Sequence, residues 1–486
     1  MHEQSYDLAA LAVAEMIREG FHPGFPSGSE EQLAAIRAAK HTLPGGAIRD
    51  LRGLAWSSID NDTSRDLDQI EHAERVAGGI RLRVGVADVS SAVLKRTPID
   101  VHAAYQTQTI YTSVRNFPML PNQLSTDLTS LNEAEDRVAV VVEFVVDVSG
   151  VVGQSSIYRA VVRNSAQLAY SKVGPWLEGT SAPDAKVAAS PVLQKQLKLQ
   201  DEAAQAMHVQ RVKMGALEFN RMEADPVVVD GKVVGIKGVI PNRATSLIEE
   251  LMVAANEVMA ETVRSAKRSC LRRVVKSPER WARIVELAGM HGTVLPETPD
   301  SAALNAFMQN QRATDEVHYP DLALAIIKLM GPGEYVVLRG DDTEAEGHFG
   351  LAVHDYTHST APNRRFPDMV MQRVVKALLA DESAPYADAE LEAIALHCTE
   401  RQTAARKVQR RMVKRAAAVA LHDSIGKIFR GVVTGVSENG VYARVFDPPV
   451  EGRVIKGQQG LDVGDRLTVK LLHTDPVHAF IDFGRV

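Results

Sequence analysis

Four aspartates fall within nine residues of this chain: Asp60, Asp62, Asp66 and Asp68, in the segment SIDNDTSRDLDQI at residues 58–70. Ile59, Leu67 and Ile70 are threaded between them. No other stretch constrains the fold so tightly. The apolar residues ask for a core, while the carboxylates ask for a place where crowded negative charge is tolerated. Asp66 and Asp68 are two apart, so in extended chain they face the same side. Asp60 can return to them across a turn at residues 61–65. Converging carboxylates repel one another unless a cation lies between them. Oxygen ligands with no neighbouring Cys or His set suit Mg²⁺, with Mn²⁺ as a substitute, better than zinc. Carboxylate-held Mg²⁺ commonly serves phosphodiester chemistry by activating water and stabilising the leaving oxygen. The segment lacks the glycine and the twelfth-position glutamate of an EF-hand. A turn with capping aspartates remains the structural alternative, and the cluster alone does not decide between the two.

The rest of the 486 residues sets the frame. That length allows roughly two to four domains at about 100–200 residues each. With 45% hydrophobic and 24% charged residues, the composition excludes a disordered, collagen-like or coiled-coil chain. The net charge of −6 argues against a simple polycation, but not against basic groups gathered in one channel. Cys270 and Cys398 are too few for a disulfide framework and read as reduced core thiols. The start, MHEQSYD, has no secretory pattern. The most apolar stretch, residues 138–148, is broken by Glu143 and Asp147. A membrane helix needs roughly 20 apolar residues. A cytoplasmic protein with no membrane partner is therefore expected.

Periodicity divides the chain into three parts. Residues 1–50 read as a small helical region: Leu8, Leu11, Ala12 and Met16 recur at helical spacing, and Ser29 with Gln32 could cap a second helix. A helix-turn-helix and a packing appendage both fit. Residues 51–423 mix strands (80–86, 137–148, 156–162) with helices (190–213, 244–268). Residues 424–486 are short strand-like runs punctuated by seven glycines from Gly431 to Gly464, as in a small β-barrel. The fold class is α+β: a large mixed α/β body, an N-terminal helical region and a C-terminal OB-fold barrel.

Five collinear segments resemble the ribonuclease II / ribonuclease R (RNB) family. They are the aspartate segment, VGVADVSSAV (84–93), NFPMLPNQLSTDLTSLN (116–132), LIEELMVAANEVMAE (247–261) and GHFGLAVHDYTHSTAPNRRFPDMV (347–370). The resemblance is to a short bacterial form without the two N-terminal cold-shock barrels, for which about 55 residues ahead of Asp60 leave too little chain. It implies an Mg²⁺-dependent 3′→5′ exoribonuclease, expected to be monomeric. Its substrate would be single-stranded RNA with a free 3′ end, and its products nucleoside 5′-monophosphates.

The resemblance also assigns residues. It puts metal binding on Asp60, Asp66 and Asp68, with Asp68 the most critical for chemistry. The fourth family aspartate falls on Gln69, a departure that keeps an oxygen ligand but loses its charge. Arg364 matches a catalytic arginine, whose planar fork suits phosphate. Its neighbour Arg365 could bind RNA or pair with Asp368. Tyr111 matches a tyrosine near the scissile nucleotide, and Phe219 a phenylalanine that stacks on a terminal base. Glu249 or Glu250 would hold the terminal ribose, although either could form a structural ion pair. His358 is open to a packed role or an RNA contact. A family glutamate near residues 400–415 falls loosely on Gln409, which is given no role.

Basic residues are uneven. Residues 264–283 hold eight Lys/Arg, and residues 401–430 hold nine. Either stretch could line an RNA channel or present solvated helix faces. A catalytically inactive RNA-binding protein on the same scaffold is the alternative function, motivated by Gln69.

Overall fold

The computed structural model describes residues 6–39, 48–217, 223–229, 232–239, 241–315, 319–342, 347–438 and 440–486. Phe219 lies outside the described residues. The centre of the body is a sheet of six strands: β1 (Arg49–Asp50), β2 (Trp56–Asp60), β3 (Gln69–Val76), β4 (Gly79–Ala87), β5 (Asp136–Val146) and β6 (Val152–Ala169). Their order is β1-β6-β2-β3-β4-β5, and β6 also pairs with β5. This closure comes from the length of β6. Its first part runs antiparallel to β5 as far as Arg163. Its last part, from Asn164 to Ala169, runs parallel to β2. The sheet thus returns on itself, and strands that expose little to water read as β-branched runs, as β5 does. Where β4 and β5 carry charge, the charges meet: Arg83 lies opposite Glu143 and bonds it at 2.7 Å.

Helices cover this sheet. The Pro191–Lys213 helix begins with Ser190 capping Leu193 and proline in its first turn. The Arg243–Ser265 helix opens with a capping box between Asn242 and Thr245. A hairpin of β7 (Glu223–Val229) and β8 (Lys232–Val239), and a pair of β9 (Cys270–Val274) with β10 (Glu334–Leu338), flank the body. Three helices, Trp281–Met290, Ser301–Thr314 and Tyr319–Met330, share a separate small core around Trp281, Phe307 and Ile326. Among the described residues no helix is long and apolar enough to cross a membrane. Cys270 and Cys398 are free and buried.

The N-terminal helices both dock on the body. Leu8–Arg18 buries Ala12 and Met16 against Ala405, Val408 and Met412 of the long Asp388–Ala420 helix. The second helix, Ser29–Ala38, departs from the expected cap. Its N-cap is Gly28, in the left-handed region at φ 85°, and no side chain caps it. Gln32 instead spends its amide on Thr97 Oγ1 and the Ile99 N–H, both at 2.9 Å.

Strands β11 (Ile428–Ser437), β12 (Gly440–Val445), β13 (Glu451–Lys456), β14 (Arg466–Asp475) and β15 (Phe480–Arg485) close a barrel in the order β11-β12-β13-β15-β14. Its core includes Ala417, Ala418 and Leu421 from the end of the long helix. Of the barrel's aromatics, Phe483 is core, while Phe446 and Phe480 are exposed.

Part of each basic stretch is spent on internal pairs. Arg264 and Arg272 both pair with Asp355, at 2.9 and 2.8 Å. Arg415 and Arg411 face the buried Glu15 at 3.2 and 3.6 Å. Arg401 lies over the Phe21 ring. These arginines tie segments of the protein together, so charge counted along the chain overstates the basic surface available to a phosphate backbone.

Candidate active site

The acidic segment is shaped by its own side chains. Strand β2 ends at Asp60, whose Oδ1 accepts from Asn61 N–H at 2.7 Å and Ser64 Oγ at 3.0 Å. That Asx-type turn sends the chain back toward the sheet. Leu67 is buried, and its backbone is stitched to the 116–132 segment. Its N–H donates to Ser130 Oγ at 2.9 Å, and its carbonyl accepts from Leu131 N–H at 3.0 Å. Asp68 lies one residue ahead of β3. Asp68 turns inward and is 1% exposed. Asp66 stays half-buried and accepts from the Tyr111 hydroxyl at 2.7 Å. Asp62 is an exposed turn residue bonded to Ser171.

The arginine segment arrives from nearly 300 positions away. Ser359 is anchored through Asn256 Oδ1, and Ala361 N–H donates to Asp368 at 2.7 Å. The tight turn that follows aims Asn363 and Arg364 at Asp68. Asn363 N–H donates to Oδ1 at 2.8 Å, and Arg364 Nε to Oδ2 at 3.1 Å. Thr129 then fixes Asn363 by donating to its Oδ1 at 2.6 Å. Asn363 and Arg364 therefore meet on the Asp68 carboxylate, with Thr129 bracing Asn363 from behind.

Electrostatics mark the same spot. Burial pushes the Asp68 carboxyl up to about 7, and the charges of Asp66 and Asp368 push the same way. Arg364 and the Asn363 N–H oppose the rise. Burial also raises Asp60, with a smaller contribution from Asp66. Ionisation is thus costly at both Asp60 and Asp68, and a divalent cation would relieve it. Hard oxygen donors of this kind fit Mg²⁺ or Mn²⁺. Among the described residues, however, no three His, Cys, Asp or Glu side chains stand close enough together to hold an ion as they are. The site is a shared electrostatic environment rather than a preformed cage.

The remaining candidates divide. Gln69 opens β3 opposite Val86 and is only 7% exposed, and its carboxamide has no hydrogen-bond partner among the described residues. Tyr111 is 39% exposed, beside Asp66. Arg365 bonds the buried Asp368 at 2.7 Å, the structural alternative open to it in the sequence. Glu250 is likewise engaged in a buried ion pair with Arg211, at 2.6 Å, and with His208. Glu249 is the more exposed of the two, 4.0 Å from Arg211. His358 is partly buried and bonded to the Tyr335 hydroxyl at 2.8 Å. Burial and the adjacent Arg365 and Arg273 hold its pKa well below the usual imidazole range.

Sequence reasoning missed Asn363 and Thr129 as site residues, because a backbone donor and its brace carry no signature of their own.

This fold and site define a family. The RNB domain matches residues 48–381, and the RNase II-type exonuclease C-terminal S1 domain matches residues 427–486. The chain belongs to the RNB domain family. It is 29% identical over 450 residues to ribonuclease R of Escherichia coli, covering 88% of this chain and 54% of that one. It thus spans about half the length of that relative. Mycoplasma genitalium RNase R, solved in complex with ribose-methylated single-stranded RNA, superposes with a TM-score of 0.86 at 23% identity. The match covers 99% of this chain and 78% of that chain. Yeast Ssd1, a pseudonuclease, shares the fold at a TM-score of 0.68 and 18% identity, over 85% of this chain and 51% of that chain.

Proposed function

We propose that the chain is a divalent-metal-dependent 3′→5′ exoribonuclease that hydrolyses single-stranded RNA to nucleoside 5′-monophosphates. One observation carries the reading: the buried Asp68 carboxylate, held by Asn363 and Arg364 beside Asp60 and Asp66. Because the fold is shared with a pseudonuclease, the side chains at this point, not the fold, argue for hydrolysis.

In this reading Asp60, Asp66, Asp68 and Gln69 hold Mg²⁺, with Mn²⁺ able to substitute. Bound there, the metal supplies activation of water and charge stabilisation at the phosphate. The protein's own groups do the rest. Arg364 spends Nε on Asp68 yet keeps 43% of its side chain exposed, so the outer edge of the guanidinium is available to a phosphate oxygen. Tyr111 orients Asp66 through its hydroxyl and offers its ring to a nucleotide. Glu249 is the better placed of the two glutamates to meet a terminal ribose, and Phe219 would stack on the last base. The substrate requires a free 3′ end, and the enzyme acts as a monomer in the cytoplasm. Residues 1–50, 51–423 and 424–486 serve as cover, catalytic body and RNA-binding barrel.

The second reading, RNA binding without hydrolysis, draws on Gln69, which stands where the family carries a fourth aspartate. Incubation of 5′-labelled single-stranded RNA with the protein, first in chelator and then with Mg²⁺ added, separates the two. Hydrolysis predicts a ladder descending to a short oligonucleotide only after Mg²⁺ is added. Intact, bound RNA under both Mg²⁺ and Mn²⁺ would favour the second reading.

A further inference from the structure

Thr129, Ser130 and Leu131 are consecutive in the chain, and together they hold both segments that meet at Asp68. They follow a π-helical turn at Leu124–Leu128, a rare conformation found disproportionately at functional sites. Thr129 closes that turn: its N–H donates to the Leu124 carbonyl at 2.9 Å, and its Oγ1 lies 2.8 Å from the same oxygen. The same Oγ1 is 2.6 Å from Asn363 Oδ1. Ser130 Oγ accepts from Leu67 N–H at 2.9 Å, and Leu131 N–H donates to the Leu67 carbonyl at 3.0 Å. Arg137 of β5 grips the segment from the sheet, with Nε on the Ser130 carbonyl at 3.1 Å and Nη2 on that of Asp127 at 3.0 Å.

These contacts close a ring. It runs from Asp68 to the Asn363 N–H, through the Asn363 side chain to Thr129, along the chain to Ser130, across to Leu67 and back to Asp68. One member has no alternative partner. Asn363 is 1% exposed, its Nδ2 has no hydrogen-bond partner, and Thr129 supplies the one hydrogen bond its carboxamide makes among the described residues. Asn363 is also a central residue of the turn in which the Arg364 and Arg365 N–H groups both donate to the Ala361 carbonyl, at 3.2 and 2.9 Å. Holding its side chain therefore holds the rotation of that turn, and with it the aim of the Asn363 N–H and Arg364 Nε at Asp68. Without Thr129 the carboxamide would be a buried polar group with no partner, and such groups rarely stay in place.

We propose that Thr129 is a positioning residue for the reaction: it holds Asn363, and through Asn363 the alignment of Arg364 on Asp68, without touching RNA. This inference rests on the hydrolytic reading of Asp68 and Arg364 given above. Thr129 is 7% exposed and its hydroxyl is engaged with two protein oxygens, so it has nothing to offer a substrate. Its effect belongs to turnover rather than to binding.

Steady-state kinetics of the full chain with Mg²⁺ on a short single-stranded oligonucleotide test this, alongside RNA affinity measured in chelator. Wild type is compared with Thr129→Val, Thr129→Ser, Asn363→Leu and the Thr129→Val/Asn363→Leu double variant. Thr129→Val keeps the shape and removes the hydroxyl. Its kcat should fall about three- to tenfold, the effect of one hydrogen bond, with KM and RNA affinity little changed. Thr129→Ser restores the hydroxyl and should recover most of the loss. Asn363→Leu keeps the backbone N–H and removes the carboxamide, so it should lower kcat to a similar degree. The double variant should be no slower than the slower single variant, because both changes break the same contact. Unchanged kcat in Thr129→Val, multiplied losses in the double variant, or a loss that Thr129→Ser does not restore would each overturn the role of Thr129. A parallel fall in kcat and RNA affinity would also overturn it, in favour of a purely structural role. Should Thr129→Val fail to fold, Asn363→Leu against the double variant still decides, since neither leaves the carboxamide orphaned. Equal kcat upholds the contact, and further loss overturns it. Wild type that leaves RNA intact under both Mg²⁺ and Mn²⁺ removes the hydrolytic reading, and this inference with it. Wild type that degrades RNA at the same kcat as Thr129→Val removes only the inference.

Discussion

Arg364 donates its Nε to Asp68 Oδ2 at 3.1 Å, joining residues 296 positions apart across the candidate site. The aspartate is 2% exposed at its side chain and the arginine 43%, so the pair spans the boundary between core and solvent. A buried carboxylate is thereby tied to a cation that still faces outward.

Asp68→Asn keeps the shape and the acceptor for Asn363 N–H but removes the charge. Hydrolysis should fall by about 10²–10³-fold or more. RNA affinity, measured by filter binding in chelator, should stay within about threefold of wild type, since a buried acid contributes little to backbone binding. Equal loss of both properties would assign Asp68 a structural role.

Arg364→Lys preserves charge and loses the planar fork that serves Asp68 and phosphate together. A fall in kcat of about 10²-fold is expected, with a smaller rise in KM. Steady-state kinetics on a short oligonucleotide separate the two. Wild-type kcat in Arg364→Lys would show that a point charge suffices.

Tyr111→Phe removes only the 2.7 Å hydroxyl bond to Asp66. A hydrogen bond to a charged group is worth about 1.5–3 kcal/mol, so kcat should fall about tenfold with KM little changed. Tyr111→Ala also removes the ring, and KM should rise by the roughly 1–3 kcal/mol that base stacking provides. Identical kinetics for the two variants would mean that the ring does not touch RNA.

Two histidines give the fold a pH dependence away from the aspartates. Burial and the neighbouring His22 push His102 down to about 4, and burial and Arg273 push His348 down to about 4. Each is depressed below its unfolded value near 6.5, so between about pH 6.5 and 4 the unfolded chain binds more protons. Their contribution is present above pH 6.5 and is lost as pH falls toward 4. Melting temperatures across that range should decline with acidification, and His102→Gln should flatten the slope. An unchanged slope in that variant would contradict the assignment to His102.

Much of the architecture can be read from the sequence, and the exceptions share a cause. The β-branched run at residues 137–148 and the helices at 190–213 and 244–268 appear where period and composition put them, because each buries a continuous apolar face. Strand β6 is longer than its apolar stretch at 156–162 suggests. Its polar start, Gly153–Ser156, is held by main-chain pairing to β5, which leaves no mark on side-chain pattern. Gln32 looked like half of a capping box, but a tertiary contact took its amide. Arg272 looked like channel charge, yet it is buried on Asp355. At the site, Asp60, Asp66, Asp68 and Arg364 were legible as residue types. The Asn363 N–H that meets Asp68 was not, since any residue can donate a backbone N–H.

The central claim is that the chain removes nucleotides from the 3′ end by metal-dependent hydrolysis at Asp68. The most direct measurement uses single-stranded RNA radiolabelled on the phosphate of its last internucleotide bond, incubated with Mg²⁺ and wild type or Asp68→Asn. The account predicts that the label leaves wild-type reactions as a nucleoside 5′-monophosphate from the earliest time point, and stays in full-length RNA with Asp68→Asn. Label appearing first in long internal fragments, or remaining in intact RNA with wild type under both Mg²⁺ and Mn²⁺, would contradict it.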